Sequence, residues 1–403
     1  MPQKPAAIIL CQVLTGFSTA RNIAAAGIEV HAVSFSKIEP IHFSRRFKQI
    51  KLIGKKNDED FIIERLINYA QKLGNFPVVI PTSDIHALML AKHYERLSAH
   101  CRLSTNSYAK LWSIISKGDL YSLAEKAGVD VIPAIHEPSF EQLSAWSKSN
   151  PAPYFLKPFY EKVAGCPLTG KNLILKNRDN LLTYVTEHGA KALIIQRMIN
   201  GGDGYIFDCY GLCNASGQVI TMASHRRWRQ NPPNVGTTTY GEIPGYRETE
   251  KQTAMFDNTS KLLTVVEHHG IFGIEWLQDR ETGKLYLIDF NARPFSSIGH
   301  LTACGLNLPF LAYQELTGEE LSSVEKYPSL KHSLWIDVLR DLQSLRERKT
   351  LQQVSFTEWI KNLFSCRDFA YWDWSDPGPG IYRTWQITSL MTKFIWKRIK
   401  LTK

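Results

Sequence analysis

The sequence lacks several features that would assign it to a class at once. No stretch contains the roughly 18 uninterrupted apolar residues that a membrane-spanning helix needs. The apolar run 6–11 is short, is followed by Gln12 and has no convincing cleavage site, so we do not expect a signal peptide. The 7 cysteines include no CxxC pair. An odd number without such pairs indicates reduced thiols in a cytoplasmic protein rather than a disulfide framework.

Two common nucleotide-binding fingerprints are also missing. No GxGxxG follows the first predicted strand, which excludes the usual dinucleotide-binding turn. Residues 165–171 fit the first positions of a P-loop, but Asn172 stands where a magnesium-binding hydroxyl is required. We therefore reject the P-loop. A flexible glycine flap over phosphates and an ordinary loop are both compatible with 165–170.

The composition permits a large hydrophobic core but does not determine which class of binding partner the protein has. The chain has 403 residues, 44% of them apolar, which suggests two to four compact units. The net charge of +10 could indicate nucleic acid, but the basic residues are spread along the chain. Affinity for anionic small molecules or for a membrane surface explains this charge equally well. Part of the excess lies at the C-terminus, in Lys393, Lys397, Arg398, Lys400 and Lys403.

The first hundred residues alternate between strand and helix patterns. Apolar strands are predicted at 7–14, 28–35 and 76–81, and helices at about 19–27 and 58–73. This alternation predicts an open parallel sheet. Thr15, Gly16, Ser83 and Asp84 lie where strands lead into helices, the usual ligand edge of such sheets. For Ser83 and Asp84, helix capping is the favoured explanation over substrate contact.

The middle of the chain carries scattered basic residues. A helix is predicted at 111–128 with Lys117 near its middle, then a polar linker at 137–152 and a strand with Lys157. A strand at 192–196 leads to the glycine-rich turn 200–204, and a dense cationic strip occupies 225–229. After residue 320, helices are predicted at 334–346 and 356–363 on the outside of the fold. The basic amphipathic end from 385 could lie on anionic lipid, although a packing helix is favoured.

The stretch 272–294 reads as a β-hairpin around a polar turn at 279–283. Folded about residue 282, it places Glu275 opposite Asp289, with Asn291 on the same face. Two carboxylates about 4 Å apart repel by about 4 kcal/mol at an effective dielectric near 20, so a cation is expected between them. The oxygen set suits magnesium, and Arg293 could hold a phosphate or carboxylate. A surface hairpin with solubilising acids explains the spacing about equally well.

In their order, these motifs resemble the ATP-grasp superfamily, specifically its carboxylate-amine ligases of the D-aspartate-ligase-like and carbamoyl-phosphate-synthetase-like kinds. The resemblance covers about 5–320. It implies an α/β fold with an N-terminal open parallel sheet domain, a small lid, a larger antiparallel-sheet domain and a helical C-terminal extension. The corresponding boundaries are 1–105 for the N-terminal domain, 106–198 for the region with the lid, 199–320 for the metal- and nucleotide-binding domain, and 321–403 for the extension.

The resemblance also implies residue roles. Lys117 and Lys157 would contact the phosphates, and Glu275, Asp289 and Asn291 would bind the magnesium. The adenine and ribose side of the nucleotide would be contacted by Gln196, Arg197, Met198 and Asp203. The carboxylate substrate and its acyl phosphate would be held by Arg293 and one or more of Arg226, Arg227 and Arg229. The family commonly has Glu at the position of Asp289 and an acidic residue at that of Gln196. These departures affect local geometry and adenine contact.

The reaction implied has two steps, with ATP and Mg²⁺ (or Mn²⁺) as cofactors. ATP phosphorylates a carboxylate, and an amine such as an amino acid then displaces phosphate. The partners are therefore small molecules in the cytoplasm, with the inner membrane face as an additional location. A kinase or a carboxylase on the same nucleotide site is the first alternative, although no biotin-carrier domain follows. A nucleic-acid-binding protein that uses the arginines and the tryptophan of the cationic strip at 225–229 is the second alternative.

Overall fold

The computed structural model describes residues 4–11, 13–35, 39–51, 58–160, 165–168, 170, 172–350, 354–386 and 388–389, with side chains omitted for 346–350. Within these residues the chain forms a 5-stranded, a 4-stranded and a 7-stranded sheet. None of the helices in these ranges combines the length and hydropathy needed to cross a membrane. All 7 cysteines fall in the described ranges, and their thiols are free.

The N-terminal sheet is fully parallel, as the alternating pattern predicted. Its strand order is β3-β2-β1-β4-β5. The strands are β1 (Ala7–Cys11), β2 (Val30–Ser34), β3 (Lys48–Lys51), β4 (Val78–Pro81) and β5 (Arg102–Leu103). The helices around it are α1 (Val13–Ala25), a 3₁₀ helix (Pro40–Phe43), α2 (Glu59–Leu73), α3 (Asp84–Lys92) and α4 (Tyr94–Ser98).

The first strand is shorter than predicted. It ends at Cys11, and α1 begins at Val13, so Thr15 and Gly16 lie inside a helix rather than in a ligand-binding loop. A Cβ atom on Gly16 would lie 2.4 Å from the Cα of Cys11. Glycine is therefore required here because the helix packs directly on the end of its own strand.

Two helices replace the single helix predicted over 111–128. The first, α5 (Tyr108–Ile115), ends at Ser116, and the second, α6 (Lys117–Lys126), begins immediately after it. Lys117 is thus at the start of a helix and not near the middle of one. Its backbone N–H donates to the Phe159 carbonyl oxygen at 3.1 Å, which fixes this helix end against the 4-stranded sheet.

The 4-stranded sheet, which we call the lid sheet, is antiparallel with the order β6-β9-β7-β8. Its strands are β6 (Ala134–His136), β7 (Tyr154–Pro158), β8 (Leu173–Leu175) and β9 (Leu193–Arg197), and its helices are α7 (Phe140–Ser149) and α8 (Arg178–His188). The linker predicted over 137–152 is wrong, because α7 occupies most of it. Ser139 and Gln142 form a capping box at its start, and Leu143 is fully buried.

The large sheet has the order β14-β13-β10-β11-β12-β15-β16, antiparallel except for the last pair. Its strands are β10 (Ile206–Cys213), β11 (Val219–Asn231), β12 (Thr237–Ile243), β13 (Gly270–Gln278), β14 (Leu285–Asn291), β15 (Ser333–Ile336) and β16 (Asp368–Phe369). The helix α9 (Thr249–Val266) packs in one core cluster with β10 and β13, and α10 (Ile298–Ala303) and α11 (Leu308–Thr317) pack in another.

Several described residues after 320 contribute to the fold's interior. Residues 334–336 belong to a strand, and α12 (Val338–Thr350) begins only after it, so the prediction of a helix from 334 was wrong at its start. A further helix, α13, spans Phe356–Ser365. Trp335 and Tyr371 join Phe17 in the hydrophobic cluster beneath the N-terminal sheet. The predicted basic end, including Lys393 to Lys403, lies outside the described residues.

Candidate functional site

At Glu275 the hairpin of β13 and β14 has the register that the sequence predicted, whereas a β-bulge between Glu275 and Trp276 shifts the pairs nearer the turn by one residue. Glu275 pairs with Asp289, and Asn291 pairs with Gly273 two positions further on. Directly opposed residues of a sheet point to the same face, so the two carboxylates and the Asn291 amide converge. The Asn291 Nδ2 donates to Glu275 Oε1 at 2.9 Å, which is direct evidence of this convergence.

The acidic pair belongs to a longer row across four adjacent strands. His225 on β11 lies opposite Asp208 on β10, and Asp208 lies opposite Glu275, which in turn faces Asp289. Three carboxylates and an imidazole therefore occupy one line on one face of the sheet. Such a row is stable only where cations or hydrogen bonds compensate the charges.

Two protein cations compensate this row. The Arg227 guanidinium forks onto Asp208 with bonds of 2.9 and 2.6 Å, and its Nη2 lies 2.6 Å from Glu275 Oε1. The Lys117 Nζ lies 2.7 Å from Asp289 Oδ1. The positive charge expected near the carboxylates is thus partly supplied by side chains. Lys117 is the first residue of α6, and its side chain reaches the hairpin from there.

The cations set the protonation of the row. Burial would raise the pKa of Asp208, but Arg227 and the His225 hydrogen bond lower it to about 2. Burial would also raise the pKa of Asp289, and Lys117 reverses this to a net decrease. For Glu275, burial raises the pKa, Arg227 opposes the rise, and Asp289 adds to it. Asp208 and Asp289 are therefore ionised at neutral pH, whereas Glu275 holds a proton more readily than an ordinary glutamate.

Lys157 brings the lid sheet to the same place. Its buried ammonium donates to the Tyr121 hydroxyl, and that hydroxyl donates to the Ile288 carbonyl oxygen at 3.2 Å, next to Asp289. Burial and the nearby Lys117 lower the pKa of Lys157 to about 7, against the opposing effect of the hairpin carboxylates. The lid lysine therefore lies close to the hairpin, and no carboxylate ion-pairs with it within the described residues.

The predicted adenine-side residues lie on and just after β9. Gln196 is 2% exposed, and in the described part of the chain neither its Nε2 nor the Arg197 Nε has a hydrogen-bond partner. The Met198 N–H donates to the Pro153 carbonyl oxygen at 2.8 Å, so this backbone donor is already used. Buried donors without partners are suited to donate hydrogen bonds to a ligand. Here those donors are Gln196 Nε2 and Arg197 Nε.

Asp203 fixes the glycine-rich turn to the next hairpin. Its Oδ1 accepts from Gln230 Nε2 at 2.9 Å and from the Asn234 N–H at 3.1 Å. Its own N–H donates to Asn234 Oδ1 at 3.1 Å. At least one oxygen of the carboxylate predicted to contact ribose is therefore already engaged in positioning the turn.

The cationic strip is divided between three environments. Arg226 and Arg227 are successive residues of β11 and so point to opposite faces. Arg226 donates through Nε to the Gly204 carbonyl oxygen at 2.8 Å and lies 3.8 Å from the centre of the Trp228 ring. Arg229 forks onto buried Asp341 with bonds of 2.8 to 3.1 Å. Of the three arginines, Arg227 alone contacts the hairpin carboxylates.

Arg293 connects the hairpin to the N-terminal sheet. Its Nε and Nη2 donate to the two carboxylate oxygens of Asp84 at 2.8 and 3.0 Å. Burial would lower the pKa of Arg293, but Asp84 raises it overall. Ser83 is the N-cap of α3 and accepts from the His86 N–H at 3.3 Å. The capping prediction is therefore confirmed for Ser83, whereas the Asp84 side chain pairs with arginine instead.

The donor set of the hairpin fits a magnesium ion. Glu275 and Asp289 each use one oxygen for their protein partners, and within the described residues Glu275 Oε2 and Asp289 Oδ2 accept no hydrogen bond. Two carboxylate oxygens remain on one face, with the Asn291 amide beside them. Magnesium is commonly held by one or two carboxylates together with water and substrate phosphates.

Sequence reasoning missed Asp208 and Tyr121. A signal for Asp208 was present, because it is the one carboxylate in the otherwise apolar eight-residue segment 206–213. A carboxylate in such a strand must be paired with a cation. Tyr121 gave no such signal, since an aromatic residue on a helix is ordinarily a packing residue.

Structural comparison finds several enzymes of the same overall fold. N5-carboxyaminoimidazole synthetase from Staphylococcus aureus, complexed with ADP, superposes with a TM-score of 0.66 at 15% identity over 86% of both chains. The biotin carboxylase domain of Hydrogenobacter thermophilus 2-oxoglutarate carboxylase, with MgADP, gives 0.63 at 16% over 83% of this chain and 74% of that one. For L-amino acid ligase from Bacillus licheniformis the values are 0.59, 16%, 81% and 78%. No family profile and no curated protein matches the sequence.

Proposed function

We propose, from the ATP-grasp fold that this chain has, that the protein is an ATP-dependent ligase that joins a carboxylate to an amine with formation of ADP and phosphate. Two of the similar structures hold ADP or MgADP, and a third is named an L-amino acid ligase. These similarities support the binding of an adenine nucleotide by this chain. The choice of a carboxylate and an amine depends on the residues of this chain.

The observation that carries the proposal is the meeting of Glu275 and Asp289 with lysines from two other parts of the fold. Lys117 contacts Asp289 from α6, and Lys157 reaches the same hairpin from the lid sheet through Tyr121. Phosphoryl transfer requires mainly positioning and neutralisation of negative charge. A carboxylate pair flanked by two ammonium groups provides both.

We place the nucleotide between 106–198 and 199–320. Lys117 would exchange Asp289 for a phosphate oxygen, and Lys157 would donate to another, which removes the repulsion between the two lysines. Gln196 and Arg197 would meet the adenine with their unpartnered donors. Asp203 would lie near the ribose, where it holds the glycine-rich turn through Gln230 and Asn234. Glu275, Asp289 and Asn291 would hold magnesium, which when bound neutralises phosphate charge.

Arg227 and Arg293 are the arginines that we assign to the carboxylate substrate. Each is anchored by an aspartate fork, through Asp208 and Asp84 respectively, and each keeps further N–H donors. Arg226 points to the other face of the sheet, and Arg229 is committed to Asp341, so we exclude both from this role. The anchored pair would orient the carboxylate for transfer of the γ-phosphoryl group.

In the reaction, a carboxylate oxygen attacks the γ-phosphorus of ATP, and the bond to the β–γ bridging oxygen breaks to release ADP. The amine nitrogen then attacks the acyl carbon, and phosphate leaves with the electron pair of the carbon–oxygen bond. Solvent takes the proton that the amine loses. Because solvent takes this proton, no side chain is required as a base. Arg227 and Arg293 would stabilise the charge of the acyl phosphate.

Carboxylation is the second candidate, because the N5-carboxyaminoimidazole synthetase and biotin carboxylase structures are among the similar ones. In that case bicarbonate would take the place of the carboxylate substrate beside Arg293. ADP formation would then depend on bicarbonate and would not require an organic carboxylate.

The test is ADP release by the full chain with ATP and magnesium, measured against a panel of carboxylates and amines with and without bicarbonate. We expect ADP to form with one carboxylate and amine pair. Asp289→Asn should reduce this rate by at least about a hundredfold, whereas Asp257→Asn, at an exposed position of α9, should not change it. Polynucleotide binding without ADP release, or full activity of Asp289→Asn, would contradict the proposal.

A further inference from the structure

A second group of potential metal ligands lies where α10 meets the edge of the large sheet. His300 is in α10, Cys304 is one turn later at its end, and Asp368 is the first residue of β16. One ligand atom from each of the three lies within 4.8 Å of the others. The group stands beyond His225, at the end of the charged row that is remote from Asp289.

The imidazole of His300 is the most informative member. Its side chain is 0% exposed, and within the described residues neither ring nitrogen makes a hydrogen bond of good geometry, although the Ser333 backbone lies near the ring. Its Nε2 lies 3.9 Å from Asp368 Oδ2, which is too long for a hydrogen bond. A buried polar atom without a partner costs about 1–3 kcal/mol. An unpartnered ring nitrogen directed at a carboxylate and a thiol therefore indicates that a further group binds between them.

The surroundings are those of a prepared ligand set. The Ser333 hydroxyl donates to Asp368 Oδ2, which fixes the carboxylate. Metal-binding carboxylates are normally oriented by such outer hydrogen bonds. Cys304 is 3% exposed, so its sulfur is protected from solvent. Its thiol is not in a disulfide and is therefore available to a metal ion.

The chemistry of the three groups selects the metal class. Thiolate and imidazole together favour a borderline ion such as Zn²⁺ over the hard cations Mg²⁺ and Ca²⁺. A thiolate and a carboxylate also balance the two positive charges of such an ion, so the buried site would be neutral.

We propose that His300, Cys304 and Asp368 bind a zinc-type divalent ion, with a fourth position open to water. The ion would join α10 to the edge strand β16, two elements that are distant in sequence. Its function would be to hold these elements together, and it is separate from the magnesium at the hairpin. The proposal does not depend on the ligase reaction.

The experiment uses the full chain after removal of metals with a chelator. The protein is titrated with Co²⁺ alone and followed by the sulfur-to-cobalt charge-transfer absorption, and zinc content is measured after dialysis against Zn²⁺. We expect the band to saturate at one ion per chain. Cys304→Ser should lack the band, and Asp368→Asn should weaken Co²⁺ binding by at least about tenfold.

Cys101→Ser is the matched control, because Cys101 is also 3% exposed and lies in the core of the N-terminal sheet. It should keep the band and the zinc stoichiometry. The proposal is overturned if the unmodified protein shows no charge-transfer band, if Cys304→Ser keeps it at full strength, or if Cys101→Ser loses it.

Discussion

The pH dependence of nucleotide binding should report directly on Lys157. Its pKa of about 7, well below the usual 10.5, results first from burial and then from the charge of Lys117. A bound phosphate supplies an anion at this ammonium, so binding raises the pKa again and selects the protonated form. Because the protonated form of the free protein is lost as the pH rises through about 7, affinity should fall in that direction.

The size of the effect follows from the same value. About half of the Lys157 side chains carry the extra proton at pH 7, and roughly one in thirty at pH 8.5. If the bound lysine stays protonated throughout, the apparent Kd for ATP rises about sixteenfold over this interval, or about 1.6 kcal/mol. Terminal phosphates, with a pKa near 6, are largely ionised over the same range and contribute little to the change.

Isothermal titration calorimetry in buffers of different ionisation enthalpy measures both quantities. We expect uptake of about half a proton at pH 7 and nearly one at pH 8.5. Lys157→Arg is the matched control, because arginine stays charged at both pH values and should bind ATP without proton uptake from this position. A constant Kd and no proton uptake in the unmodified protein would refute the placement of Lys157 at the phosphates.

Other predictions concern stability. Arg229→Met leaves buried Asp341 without its cation and should lower the free energy of unfolding in urea by about 3–5 kcal/mol, and a second change, Asp341→Leu, should recover part of the loss. Gly16→Ala places a Cβ 2.4 Å from the Cα of Cys11 and should cost about 1–3 kcal/mol, so an unchanged thermal midpoint would contradict the close packing. Asp208, with a folded-state pKa of about 2 against 3.8, contributes stability that is present above pH 4 and lost toward pH 2. The free energy of unfolding should fall by about 2 kcal/mol over that interval, and Asp208→Asn should be less stable with a smaller fall.

The hairpin was predictable because its information is local. Alternation on both sides of the turn determines which residues face each other, so Glu275 and Asp289 could be paired without any distant contact. The parallel sheet followed in the same way from the alternation of strands and helices. The ATP-grasp resemblance rested on the order of such local motifs.

Features that depend on distant partners were not predictable. The pairing of Arg229 with Asp341 spans 112 positions, and nothing near Arg229 distinguishes it from Arg227, which contacts Glu275. The break at Ser116 has a similar origin, since the Phe159 carbonyl receives the Lys117 N–H. Tertiary contacts of this kind outweigh the helical pattern that runs through the break.

The position of Trp335 and Tyr371 under the N-terminal sheet has a consequence for synthesis. The first strands leave the ribosome long before these two aromatic residues are made, yet the cluster around Phe17 is incomplete without them. At roughly 5–20 residues per second, the delay amounts to tens of seconds. During that time an apolar surface of the nascent chain is uncovered, so efficient production of the protein should depend on chaperones that shield it until Trp335 and Tyr371 have been made.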